Sequence, residues 1–147
     1  MKRTAGLGAL LALTLAGCGG TTSLSEKQLQ TRATKLCATA ARRAGRITTP
    51  RDEAEGADFL SRGIAALKPE LAGLRALHAP DDVADVYAAT VKAFSKQLDE
   101  LEKTVHKLHS GEDPVVAWKT LQTKLAPLEA TEDGAWRTLG VPACVTT

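Results

Sequence analysis

Aromatic side chains are scarce in this 147-residue chain, which has two tryptophans, one tyrosine and two phenylalanines. Its core must therefore be filled by aliphatic and small side chains. The abundant alanines let helices approach closely, so a tight interior is expected rather than a roomy one. The single methionine is Met1 and no Cys-x-x-Cys-His occurs, so a methionine-ligated or covalently attached haem has no place here. No apolar run reaches the roughly 20 residues that cross a bilayer as a helix. A Gly-x-Ser-x-Gly elbow, a glycine-rich phosphate loop behind a strand, and the Glu-x-x-His repeat of di-iron bundles are all missing. So are alternating strand patterns and internal repeats of solenoid length.

What is there begins with charge and a short apolar run. Lys2 and Arg3 open the chain, and Leu7 to Ala16 follow as about ten apolar or small residues, within the roughly 7–15 of a secretory signal. The run stops at Leu15-Ala16-Gly17-Cys18. These residues resemble the lipobox of bacterial lipoproteins, in which a cysteine directly follows two small residues and a leucine. The resemblance covers the first 18 residues. It implies a diacylglyceryl group on the Cys18 thiol and cleavage just before it. Residues 1–17 would then be a signal peptide, 18–24 a lipid-attached tether and 25–147 the folded domain. Two acyl chains, at ~0.8 kcal/mol per buried methylene each, hold a protein on a membrane stably where one chain does not. The expected location is the bacterial cell envelope, on the outer side of a membrane.

Processing also changes the charge. Of the 19 basic residues Lys2 and Arg3 leave with the signal, so 17 remain against 17 acidic ones. A neutral chain offers no electrostatic case for a nucleic-acid partner or for polybasic membrane binding. With Cys18 consumed by lipid, Cys37 and Cys144 are left as an even pair in an oxidising compartment, where a disulfide between them is expected.

Periodicity predicts four helices. The first starts at a capping box, Ser23 with Glu26 or Ser25 with Gln28, and carries Leu29, Ala33, Leu36, Cys37 and Ala40 before Gly45 breaks it. Thr49 and Pro50 are read as the N-cap and first turn of the second. Its apolar positions Ala57, Leu60, Ile64, Leu67, Leu71 and Leu74 keep step across Pro69, which predicts one kinked helix with the proline toward solvent. The third has the clearest seam, from Tyr87 and Val91 through Phe94 and Leu98 to Leu108, ending at Gly111. Asp113 and Pro114 begin a fourth through Trp118, Leu121, Leu125, Leu128, Ala135 and Leu139, with Pro127 outward and Gly140 as its C-terminal cap. Short connections between long helices give antiparallel neighbours, so the expected fold is all-α, an up-down-up-down four-helix bundle.

In that topology the start of the first helix, the turn near His78 and the end of the fourth share the tethered end. Cys37 lies ~18 Å along the first helix at 1.5 Å per residue. The segment from Gly140 to Cys144 reaches ~16 Å when extended. A bridge therefore requires that Gly140-Val141-Pro142-Ala143-Cys144 fold back along the first helix, or that the fourth helix break near Asp133-Gly134.

Candidate chemistry is thin. His106 and His109, three apart beside Glu102 and Glu112, are weak metal candidates, since a histidine pair near a helix C-terminus also suits the helix dipole. Glu100, Glu102, Glu129, Glu132 and Asp133 read as solvated faces off the apolar stripes. Leu77, Val86 and Trp136 fall off the seams at the tethered end, and are read as a contact for the membrane or an envelope protein partner. No cofactor and no catalytic residue are expected. The function implied is a lipid-anchored extracytoplasmic binding or scaffold module, and the alternative is a carrier or sensor that opens around a small apolar ligand. A metal protein or enzyme comes after both.

Overall fold

The computed structural model describes residues 23–145. The expected signal peptide 1–17, the expected lipid site Cys18 and most of the expected tether 18–24 lie outside the described residues. Four helices follow in order: α1 (Glu26–Ala44), α2 (Gly56–Arg75), α3 (Ala84–His109) and α4 (Pro114–Thr138). Short 3₁₀ turns stand at Glu53–Glu55 and Pro142–Cys144, and there is no strand among the described residues. The protein is all-α.

Local chemistry explains where each helix starts. Of the two capping boxes the sequence offers, Ser25 with Gln28 forms: the Ser25 hydroxyl accepts from the Gln28 amide, and the Gln28 side chain accepts from the Ser25 amide. At α4 the Asp113 carboxylate accepts from the Val116 amide, with Pro114 in the first turn. The start of α2 departs from the sequence reading. Thr49 and Pro50 do not begin it, because Asp52 Oδ1 takes the Ala54 and Glu55 amides and Glu55 Oε2 takes that of Arg51. Side-chain bonds of this kind compete with the helix and hold a 3₁₀ turn until Gly56. Pro69 and Pro127 are exposed, and α2 and α4 run unbroken through them.

Both α3 and α4 end at a glycine in the left-handed conformation, Gly111 with φ 89° and Gly140 with φ 69°. The Gly140 amide donates to the Arg137 carbonyl and the Val141 amide to that of Trp136, so two carbonyls of the last turn are satisfied as the chain reverses. Gly111 and Glu112 repeat the arrangement on Leu108 and Lys107.

Contacts join α1 to α2, α2 to α3 and, most extensively, α3 to α4, while the Pro142–Cys144 turn lies against α1. Consecutive helices are thus antiparallel neighbours in a four-helix bundle. The Leu24 amide donates to the His78 carbonyl at 2.8 Å and Gln30 Nε2 to the Leu139 carbonyl at 3.1 Å. These bonds gather the start of α1, the α2–α3 turn and the end of α4 at one end of the bundle. Cys37 and Cys144 form a disulfide across 107 residues, with Cα atoms 5.2 Å apart. Of the two routes to it, the tail folds back along α1 while α4 stays whole through Gly134. One core cluster includes Leu29, Leu74, Phe94, Trp136 and Val141.

Candidate functional site

Trp136 is not a surface contact. It is 0% exposed, packs edge-on against Tyr87 with ring centroids 6.1 Å apart, and donates from Nε1 to Glu132 Oε1 at 2.9 Å. Leu77 and Val86 are half-buried and pack against the core cluster rather than forming an exposed patch with it. The correction has a simple cause. The inward face of α4 runs Ala117, Leu121, Leu125, Leu128, Glu132, Trp136 and Leu139, at steps of four and three. A carboxylate standing on that seam hides its continuation.

Glu132 is therefore also misplaced by the sequence reading: it is 9% exposed, as is Glu70 on α2. Gln97 Nε2 on α3 donates to Glu132 Oε2, and the Trp136 indole donates to its other oxygen. Burial pushes the Glu132 carboxyl up, against the pull of these two donors. Glu70 has no such donors, and burial first and the charge of Glu132 second raise it to about 7. The two carboxyls differ in their partners: Glu132 accepts from Gln97 and Trp136, and Glu70 has no such donor, while burial raises both. Tyr87 completes the buried polar set, its hydroxyl donating to the Leu74 carbonyl at 2.7 Å, and burial raises the phenol pKa. No periodicity signal marks Glu70, which sits beside Leu71 on the edge of the α2 stripe.

His106, His109 and His78 are exposed. Among the described residues no three His, Cys, Asp or Glu side chains gather as a metal site would require. No helix among them is long and apolar enough to cross a membrane. The most exposed large apolar side chains among the described residues, Val115 at 62% and Val116 at 53%, lie in the first turn of α4, at the end of the bundle opposite the α2–α3 turn.

Glu70 also lines a cleft of about 450 Å³ between α1 and α2. Its floor is apolar, made by Leu36, Pro69, Gly73 and Leu77, and its α1 wall carries Arg32, Lys35, Thr39 and Arg43. Gly73 shapes it: a Cβ there would stand 2.5 Å from Leu36 Cδ2, so only glycine lets Leu36 settle so close to α2. This cleft combines an apolar floor with converging polar groups, the composition of small-molecule sites. The groove between Lys96, Glu100 and Lys124 carries paired charges, whereas the α2–α3 groove has Arg75 and Lys92 in no ion pair among the described residues, with Arg75 donating to the Ser95 hydroxyl.

No protein-family model matches the chain, and neither a curated protein nor a solved structure is similar to it.

Proposed function

We propose that this protein is a lipid-anchored helical module on the outer side of a bacterial membrane, and that it works by holding a ligand or partner rather than by catalysis. The observation that carries this reading is the Cys37–Cys144 disulfide. A bridge that closes 107 residues of fold belongs to an oxidising compartment, which is where the Leu15-Ala16-Gly17-Cys18 lipobox would deliver the chain. The bundle suits the role, because its tethered end is held together by the Leu24–His78 and Gln30–Leu139 bonds while the grooves along its sides stay open. The filled interior around Trp136 and Tyr87 favours binding at the surface over a carrier that opens around an apolar ligand.

Crosslinking in intact cells followed by mass spectrometry tests the reading. The wild-type chain should recover envelope components, and a Cys18→Ser variant should lose them. Recovery of cytosolic components alone would overturn it.

A further inference from the structure

The small formal net charge of the whole chain, +2, conceals an uneven distribution. Helix α1 carries Lys27, Arg32, Lys35, Arg42 and Arg43 against the single acid Glu26. Helix α3 sets Lys92, Lys96, Lys103 and Lys107 against Asp85, Asp99, Glu100 and Glu102, and α4 is equally matched. Acids one turn away or across a groove answer some of the helix cations, as Glu100 does Lys103 and Lys124 and Glu102 does Lys68. Arg32, Lys35 and Arg43 are exposed and none of them is in an ion pair among the described residues. All three line the α1–α2 cleft.

The one acid in that cleft does not answer them. Glu70 is nine-tenths buried, makes no ion pair with the three cations, and holds its proton up to about pH 7 because of burial and Glu132. The cleft therefore sets cations of α1 beside apolar residues, with one carboxyl that is neutral only below about pH 7. An inorganic anion would leave the floor wet. A neutral apolar ligand would leave the wall unanswered. A flat bilayer surface would not reach Leu36, Gly73 and Leu77, which are half-buried between the helices.

We infer that the α1–α2 cleft binds an anionic amphiphile, a monomeric single-chain acid whose head lies on Arg32 and Lys35 and whose chain lies on Leu36, Pro69 and Leu77. The assignment rests on the reading of this protein as a binding module and gives that module its ligand class. Its volume of about 450 Å³ falls within the range of small-molecule sites.

The test uses the protein as recovered from cells, in phosphatidylcholine nanodiscs if it is lipidated and in buffer if it is not. In this form a failed anchor and a failed ligand assignment are separate results. The probe is a diazirine-bearing decanoic acid, with crosslinked peptides mapped by mass spectrometry. Labelling is expected within residues 32–43 and 69–77. Decanoate should compete at least tenfold better than decyl glucoside, which has the chain without the charge, or inorganic phosphate, which has charge without the chain. The double substitution Arg32→Gln with Lys35→Gln should reduce labelling at least tenfold with no change in the unfolding midpoint, since both side chains are exposed and unpaired. Adding phosphatidylglycerol to the bilayer should leave labelling intact. Equal competition by the neutral glucoside or by phosphate, loss of labelling to phosphatidylglycerol, labelling elsewhere, or an unaffected double variant would each overturn the assignment.

Discussion

Glu132 and Trp136 stand one turn apart on α4, and the indole Nε1–H donates to the carboxylate at 2.9 Å inside the core. The bond ties the only fully buried ring of α4 to the only carboxylate on its inward face. A buried carboxylate that loses a donor keeps its desolvation cost, so Trp136→Phe should destabilise the protein by about 1–3 kcal/mol although it retains an apolar ring. Adding Glu132→Leu to that variant should recover part of the loss, because the buried carboxylate is gone and only the half-buried Gln97 amide loses its acceptor. Urea midpoints of the single and double variants check this. A single variant as stable as wild type would contradict it.

Stability should fall as pH rises through the range in which Glu70 ionises. Its carboxyl titrates near 7 in the fold against an ordinary 4.5, so between those values the native state binds more protons than the unfolded chain and the unfolding free energy decreases with pH. The stabilisation is complete below about 4.5 and gone above about 7. Glu132 from α4 is shifted in the same direction and adds the same sign, Gln97 from α3 is neutral, and Arg32, Lys35 and Arg43 on α1 line the cleft beside Glu70. The Glu70 contribution is at most about 3 kcal/mol. Urea unfolding should show greater stability at pH 5 than at pH 8, and Glu70→Gln should remove most of the difference. Glu100 acts with the opposite sign at lower pH, because the hydrogen bonds from Lys103 and Lys124 hold its carboxyl below the ordinary value.

Reduction should weaken the fold substantially. In the chain-entropy model a bridge closing a loop of this length contributes about 4–5 kcal/mol. Adding a phosphine reductant should lower the urea midpoint of the wild type by a corresponding amount and leave a Cys37→Ser, Cys144→Ser variant unmoved. Denatured but unreduced protein should show no free thiol at either position.

Two glycines of α4 and its cap should respond oppositely to alanine. A Cβ at Gly134 would meet nothing within 4 Å, so Gly134→Ala should stabilise the helix by about 1 kcal/mol. Gly140 has φ 69°, and a Cβ there would stand 2.8 Å from Gln30 Nε2. Gly140→Ala should cost about 1–2 kcal/mol and weaken the Gln30–Leu139 bond. Melting temperatures of the two variants should move apart.

Much of this architecture was legible because periodicity and capping agree. The seam of α3, Asp113-Pro114 and Gly140 state their roles locally, the Ser25–Gln28 box is one of two that the sequence offers, and helix rise with chain length leaves the return of the tail as one of two routes to Cys37. What the sequence hid are the places where a local rule yields to packing. Glu132 occupies a seam position that apolar counting skips, and skipping it throws Trp136 onto the wrong face. Asp52 offers the backbone bonds that defer α2 from Pro50 to Gly56. The cleft was invisible for a different reason: it requires α1 and α2 to meet at Gly73, and its unpaired cations vanish into a formal net charge of only +2.

The account depends most on Cys18 carrying lipid, and that can be measured directly. Cells expressing the wild-type chain or Cys18→Ser would be fed an alkyne-bearing palmitate, fractionated, and the protein analysed by intact mass. The account predicts wild-type protein in the membrane fraction, labelled, beginning at Cys18, and digestible by protease added from outside, with no label on the variant. Unlabelled wild-type protein in the cytosol with residues 1–17 still attached would contradict it.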